Sequence, residues 1–359
     1  MNKFGQRFSF TTFGESHGKA VGVVIDGVPA GIEIDEKFIQ SEMDRRKPGK
    51  NSFATARQEG DKVEILSGVF EGKTTGTSLA MIVFNENQKS KDYSNIKDLF
   101  RPAHADFTYF HKYGIRDYRG GGRSSARETL ARVSAGAIAK LMLKSLGIEI
   151  VSGVSHIFGI GENSFDFEFA KTSEIYSLSP KFEQAQKDAI LKAKDRHNSV
   201  GGSVVVKVKN APVGLGEPVY YKLDSVLADA MMGINGVKAV EIGLGKDSTF
   251  IMGSENNDQM NESGFETNNS GGILGGISNG NDIEIKIHFK PTPSIFTEQS
   301  TQNISGKVEK MSLKGRHDPI IAVRGSVVAE AMTSLVIADM ILLNMGRKIS
   351  DIKAYYNYN

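Results

Sequence analysis

The stretch Phe100 to Ala137, FRPAHADFTYFHKYGIRDYRGGGRSSARETLARVSAGA, carries most of what the chain reveals about itself. It holds His104, arginines at 116, 119, 123 and 127, and three consecutive glycines, Gly120 to Gly122. Ser125 with Glu128 three residues on reads as a capping box, which places a helix start near Ser125. Backbone N–H groups at a helix start point outward, and the aligned peptide dipoles favour an anion there. Glycines just upstream let the backbone approach a ligand closely. Arginines add charged, bidentate donors suited to phosphate or carboxylate. The expectation is an anion site with a titratable histidine close by. The competing reading is a plain flexible turn before a capped helix. RGG-type RNA-binding tails share the Arg-Gly-Gly-Gly-Arg text, but they are long and repetitive, whereas this segment is single and runs into an apolar helix.

Outward from there, the helix should run to about Leu146 and stop at Gly147. Val133, Ala135, Ala137, Ile138, Leu141 and Met142 make it apolar on most sides, so more than one face should be buried. Ser326 to Leu343 reads as a second helix of the same kind. Strand patterns fall in groups around the two: Phe8 to Phe13, Ala20 to Ile25, Val63 to Phe70, Ser78 to Phe84, Ile148 to Ile160 with a bend at Gly153, Val204 to Val208, Ala239 to Ile242 and Asp282 to Phe289. Shorter helices are expected from Asp35 to Arg46, Pro180 to Arg196 and Leu227 to Met232. The strands are mostly hairpin-joined, which argues against a doubly wound parallel sheet. The predicted class is α/β in the α+β sense: a β-α-β sandwich, with long apolar helices between two antiparallel sheets, in one domain over residues 1–359. Gly72-Lys73-Thr74 is a near miss to a P-loop. It lacks the upstream glycine, Ser67 standing there, and is followed by a strand, so a hairpin is expected. The polar run from Gly253 to Gly264 reads as a surface loop, and Asn268 to Gly280 as a second glycine-dense loop.

Composition narrows the function. The chain has 44 basic and 42 acidic residues, a net charge of +2, too small for a general polyanion binder. Its arginines are instead locally clustered, which suits a small anionic ligand. There are no cysteines, which excludes disulfides, thiolate metal sites and a cysteine nucleophile. With no apolar h-region and no membrane-length apolar run, a cytoplasmic location with no membrane partner is expected. No HExxH and no His–carboxylate set at ligand spacing occurs, so no metal site is expected.

Among the histidines, His17 in Gly-Glu-Ser-His-Gly and His104 after Arg101-Pro102 have glycine- or arginine-rich settings. His111 falls in an aromatic run, and His156 and His288 alternate within strands, as structural residues do. Asp339 stands out within LVIADMILL. A carboxylate there would be desolvated unless paired, either in the core or at the edge of a site.

Several blocks in order resemble chorismate synthase. They are Gly14-Glu15-Ser16-His17-Gly18 leading to VGVVIDGVP, GRSSARETLARVSAGAI from Gly122, and RHDPIIAVRGSVVAEAM from Arg316. FRPAHADFTY, INGVKAVEIG, NNSGGILGGISNG and KPTPSI agree as well, so the resemblance covers essentially the whole chain. It implies conversion of 5-enolpyruvylshikimate 3-phosphate to chorismate by anti-1,4-elimination of phosphate. Reduced FMN is required without net redox change. It also implies the β-α-β sandwich, a homotetramer, and service by the protein itself or a separate flavin reductase.

Carried over by position, the resemblance gives a flavin site of Arg123, Ser124, Ser125, Asn235, Gly236, Gly275, Lys290, Pro291, Thr292, Pro293, Ser294 and Arg316. Substrate would meet Ser16, Arg45, Arg46, Arg101, Arg127, Arg132 and Arg316. His17 would donate a proton toward the leaving phosphate and His104 toward the flavin, while Asp339 would help the flavin take up the ring proton. The chain departs from the family's usual residues at Lys47, Ser52, Ala103, Gly236 and Asn269. The change at Ser52 leaves any NADPH contact indirect, through Arg46. A nucleic-acid or phosphate-binding module using the same loops is the alternative, and no nucleic-acid partner is expected given the near-neutral charge.

Overall fold

A computed structural model describes residues 1–47, 49, 53, 60–86, 96–313 and 318–357. Its first sheet contains β1 (Lys3–Phe4), β2 (Ser9–Gly14), β3 (Ala20–Asp26), β4 (Glu64–Ser67) and, after the small hairpin of β5 (Val69–Phe70) and β6 (Lys73–Thr74), β7 (Leu79–Phe84). The strand order is β1-β2-β3-β7-β4, antiparallel throughout. The second sheet is built from β8 (Glu149–Ile157), β9 (Ile160–Gly161), β10 (Gly202–Lys209), β11 (Val237–Ile242) and, after the two-residue hairpins β12–β13 (Met260–Asn261, Gly264–Phe265) and β14–β15 (Ile273–Leu274, Ile277–Ser278), β16 (Ile283–Phe289). Its order is β11-β16-β10-β8-β9, again antiparallel. Alternation along β16 puts Ile283, Ile285, Ile287 and Phe289 in the core and leaves Glu284, Lys286 and His288 on the other face, as a period of two requires.

The helices are α1 (Glu36–Arg46), α2 (Asp106–Tyr113), α3 (Thr129–Ser145), α4 (Phe167–Thr172), α5 (Glu183–Asp195), α6 (Leu223–Met232), the single turn α7 (Gly253–Asn256), α8 (Ala322–Asn344) and α9 (Ile349–Tyr355). Between the sheets lie α3, packed on β2, β3 and β7, and α8, packed on β8, β10 and β16. This is the sandwich the sequence predicts. By length and apolarity α8 could cross a membrane, but 83% of that window is buried in the interior, where it serves as core. The two helices touch closely at Gly136, where a Cβ would stand 2.5 Å from Ala331 Cβ. Any side chain there would force the layers apart.

Local signals fix some boundaries and tertiary contacts move others. Asp35 caps α1 as expected, accepting from Phe38 N–H at 2.9 Å. The expected capping box at Ser125 does not form. Glu128 accepts instead from Thr12 Oγ1 at 2.8 Å and Arg132 Nε at 2.9 Å, so the α-helix begins only at Thr129, after two 3₁₀ turns. The irregularity in β8 lies where Ser203 and Val204 pair across a bulge, not at Gly153. Gly153 is required instead because a Cβ there would meet Leu178 at 2.6 Å. The GKTTGT turn is the expected hairpin.

Two buried polar contacts stitch the layers. Glu330 on α8 accepts from Arg45 Nη1 at 2.7 Å and Nη2 at 2.9 Å, from Lys140 Nζ on α3, and from Ser152 Oγ on β8 at 2.6 Å. Glu42 on α1 shares both Arg45 and Lys140. Burial pushes the Glu330 carboxyl up, but Arg45 and Lys140 outweigh it and hold it well below the usual carboxylate range. Asp339, 1% exposed near the far end of α8, accepts from the backbone N–H groups of Gln6 at 3.0 Å, Arg7 at 2.7 Å and Phe8 at 2.9 Å. It anchors the segment that opens the first sheet. Burial nevertheless raises its pKa, the three N–H donors pulling the other way.

Two outcomes follow for these anchors. Glu330→Gln should cost about 3–5 kcal/mol in denaturant unfolding, because one carboxylate facing two cations is lost. A depressed folded pKa contributes stability above the unfolded value of about 4.3 that disappears as pH falls, so the variant should show a shallower loss of stability below about pH 5 than the parent. Asp339→Asn keeps an acceptor for Arg7 and Phe8 but turns an amide N–H₂ toward the Gln6 donor. It should lower stability by about 1–3 kcal/mol while turnover per folded molecule stays at the parent value, measured on one preparation.

Candidate active site

Seven separate segments, among them the end of α1 that carries Arg46, meet around a cavity of about 520 Å³, within the usual range for small-ligand sites. The other six are the β2–β3 loop with His17, the loop Arg101–Ala105 before α2, the turn from Gly120 toward α3, the Ile234–Lys238 connection into β11, Lys290–Ser294 beyond β16, and Asp318–Val328 leading into α8. The glycine triplet explains how two remote histidines share one site. A Cβ at Gly120 would fall 2.2 Å from His17 Cε1, and one at Gly121 would fall 2.9 Å from His104 Cε1. Both glycines have positive φ, +68° and +100°, a conformation glycine adopts without strain. The turn can therefore pass between the two imidazoles, and nothing larger fits.

Charge in the cavity is strongly one-sided. Its described wall carries Arg46, Arg101, Arg127, Lys238, Lys290 and Arg324 against one carboxylate, Asp318. Buried acids behind the wall hold three of these cations, Arg46, Arg127 and Arg101, in place. Asp61 receives Arg46 Nη2 at 2.7 Å and Arg127 Nη1 at 2.9 Å. Burial would raise the Asp61 carboxyl, and the two guanidinium groups hold it below its ordinary value. Asp106 receives Arg101 through Nε and Nη2, both at 2.8 Å, and Asp318 pairs with Arg324. Burial lowers the pKa of Lys290, with Lys238 adding to it, and the Lys290 ammonium donates to the Ala103 carbonyl at 2.7 Å. Ala103 itself adopts φ +56°, the left-handed conformation for which glycine is the usual choice.

The cavity gathers most of the residues expected from sequence: His17, Arg46, Arg101, His104, Ser124, Ser125, Arg127, Asn235, Gly236, Lys290, Thr292, Pro293 and Ser294. Ser16 stands behind the wall, its Oγ 3.2 Å from His17 Nδ1. Others serve elsewhere. Arg123 donates to Thr12 Oγ1 at 2.6 Å and to the Gly14 carbonyl at 3.1 Å, tying the glycine turn to β2. Arg132 bonds Glu128 Oε2 at 2.9 Å and the Gly233 carbonyl at 2.8 Å. Arg45 belongs to the Glu42–Glu330 cluster, facing a different cavity of about 920 Å³. Gly275 sits in the β14–β15 turn and Pro291 is off the wall. Arg316 lies outside the described residues.

Asp339, expected beside the flavin, is not on this wall. Eleven residues separate it from Val328, the last cavity residue on α8, or about 16 Å of helix at 1.5 Å per residue. Its partners are the backbone donors of Gln6, Arg7 and Phe8. Among the described residues the wall's carboxylate is Asp318, which sequence reading passed over. The signal was there in Arg316-His317-Asp318-Pro319, an acid placed just before an apolar helix in a block already marked by arginine and histidine.

Among the described residues, Asn235 Oδ1 and Thr292 Oγ1 on the wall are buried without a hydrogen-bond partner, and His104 Nδ1 has only the misaligned approach of Asp106. Such atoms are costly unless a ligand or water meets them. The first two sit on segments expected to hold FMN, and that donor and acceptor set fits a flavin. Asn235 is fixed by donating from Nδ2 to the Ser124 carbonyl at 2.8 Å, so its free oxygen has a defined direction.

Comparison with known proteins places this geometry. A family model described as chorismate synthase matches residues 8–342. The chain is 68% identical over 356 residues to a chorismate synthase of Aliarcobacter butzleri (strain RM4018), covering 99% of both chains. It is 65% identical to the chorismate synthase of a Nitratiruptor species, covering 99% of this chain and all of that one. A crystal structure of chorismate synthase superposes with a TM-score of 0.75 at 31% identity, over 99% of this chain and 97% of the other. With its helices enclosed between two antiparallel sheets and its family match running nearly end to end, the chain belongs to the chorismate synthase family of lyases.

Proposed function

We propose that this cavity turns 5-enolpyruvylshikimate 3-phosphate into chorismate, with the chain acting as one domain. The observation that carries the reading is the wall itself, six cations against one carboxylate, closed around two histidines. The substrate carries a phosphate and two carboxylates, and such a polyanion gains most from fixed cations in a low-dielectric enclosure. Arg46 and Arg127, held from behind by Asp61, and Arg101, held by Asp106, are oriented before any ligand arrives. That preorganisation avoids reorienting donors during the reaction.

In the elimination the ring C–O bond to phosphate breaks, a ring C–H proton leaves from the opposite face, and a new C=C forms. The departing phosphate takes the bonding pair, so an acid beside it lowers the barrier, and His17 is the group for that role. Asp318, the carboxylate of the described wall, is the group to receive the ring proton. Ser124, Ser125, Asn235, Gly236, Lys290 and Thr292 to Ser294 would hold reduced FMN, with His104 beside it. When bound, the reduced flavin supplies electron density transiently, without net oxidation. The wider reading is a cytoplasmic homotetramer whose flavin is kept reduced by the protein itself, with NADPH reaching it only indirectly through Arg46, or by a separate reductase.

Under anaerobic reduction with FMN and substrate, the protein should form chorismate and consume no reductant per turnover. Full-rate chorismate formation by aerobic protein with oxidised FMN would sink the proposal. Asp318→Asn, His17→Ala and His104→Ala should each slow turnover by about 10²–10⁴, the range for one general acid–base group, with folding preserved by circular dichroism. An Asp318→Asn enzyme as fast as its parent would remove that residue from the chemistry.

A further inference from the structure

One buried carboxylate beside the site has no part in the chemistry above. Asp106, the first residue of α2, is 4% exposed and is not on the cavity wall, yet two wall residues point their polar atoms at it. Arg101 gives it three donors, backbone N–H at 3.0 Å with Nε and Nη2 at 2.8 Å. His104 Nδ1 lies 3.1 Å from Oδ1, the oxygen that also accepts from Arg101 Nη2, without the alignment of a hydrogen bond. From the far side Arg116 Nη1 approaches to 3.1 Å, itself held by the carbonyls of Ile96, Lys97 and Leu99 at 3.1, 2.7 and 2.8 Å. Asp106 is therefore fixed by a cation that never reaches the cavity, and it fixes two groups that do.

We propose that Asp106 is a positioning residue of this site, setting Arg101 as an anion donor and turning His104 so that Nε2 faces the reactants. The inference rests on the proposed reaction for its substrate, but its geometry does not. With Nδ1 directed at Asp106, Nε2 is on the opposite side of the ring. A Cβ at Gly121 would come within 3.3 Å of that nitrogen, so the glycine keeps the approach open. Burial lowers the pKa of His104. Asp106 opposes this, and Arg101 and Lys290 add to it, which favours the neutral ring, whose tautomer then matters. An ionised carboxylate can only accept, so it selects the Nδ1–H form and leaves Nε2 with its lone pair toward the cavity. Catalytic hydrogen bonds of this kind commonly align fully only in the complex with substrate. His104 then acts as a donor only after Nε2 has taken up a proton.

The tautomer is read directly from ¹⁵N spectra of histidine-labelled, ligand-free protein. The parent should show His104 as the Nδ1–H form at neutral pH. Asp106→Asn should lose that preference, weaken calorimetric binding of 5-enolpyruvylshikimate 3-phosphate on the order of tenfold, and lower kcat by about ten- to hundredfold, as loss of an orienting carboxylate does elsewhere. In a His104→Ala background the effect on kcat should shrink while the effect on binding, which runs through Arg101, persists. An Nε2–H tautomer in the parent overturns the proposal, as does an Asp106→Asn protein with unchanged binding and kcat per folded molecule. If that variant does not fold, the parent spectrum and Asp106→Glu decide. Should the parent make no chorismate, the proposed reaction fails, and the tautomer and the calorimetry still judge Asp106.

Discussion

Like charges cannot be gathered in an enclosed cavity without counter-charge behind them. Arg46, Arg101 and Arg127 converge on one small space, where mutual repulsion and desolvation both oppose folding. Buried acids resolve this. Asp61 sits between Arg46 and Arg127, and Asp106 between Arg101 and Arg116. Each carboxylate faces two guanidinium groups, so the combined unit keeps a positive excess directed at the cavity. The same arrangement keeps the side chains from wandering, and both acids lie on the protein side of the wall.

This charged lining needs a rigid frame, which the two central helices provide. The Gly136–Ala331 contact sets the spacing of α3 and α8, and the Glu42, Glu330, Arg45 and Lys140 cluster locks α1, α3 and α8 together. Because α3 follows the Gly120–Gly122 turn through two 3₁₀ turns and α8 follows the Asp318 segment, fixing the helices also fixes two walls of the cavity. Core packing and site geometry are in this sense one constraint. A change at the helix crossing would be felt at His17 and His104 through the glycine turn that touches both.

Much of the fold was legible locally. All-round apolarity of two long helices required cover on both sides, and hairpin-joined strands supplied it as antiparallel sheets. What was illegible depended on partners remote in sequence. Glu128 was drawn off its capping role by Thr12 and Arg132, and α2 lay hidden in an aromatic run whose first residue, Asp106, belongs to the arginine network. Asp339 illustrates the limit from the other side. Its buried position was readable, but its partners, three backbone donors of the N-terminal segment, are more than 300 residues away in sequence.

The sequence alone pointed to a small anionic ligand and to the kind of loop that would meet it, because clustered arginines stand out against a near-neutral chain. It also determined the layered architecture, because periodicity is a local property of the chain. Only the tertiary structure decided which arginines line the cavity and which carboxylate joins them. Arg45 and Arg46 are neighbours on one helix, yet one faces the Glu330 cluster and the other the active cavity. Successive residues on a helix point about 100° apart, so which one meets the ligand depends on what the helix packs against. That is settled by contacts among distant segments, and no local pattern encodes it.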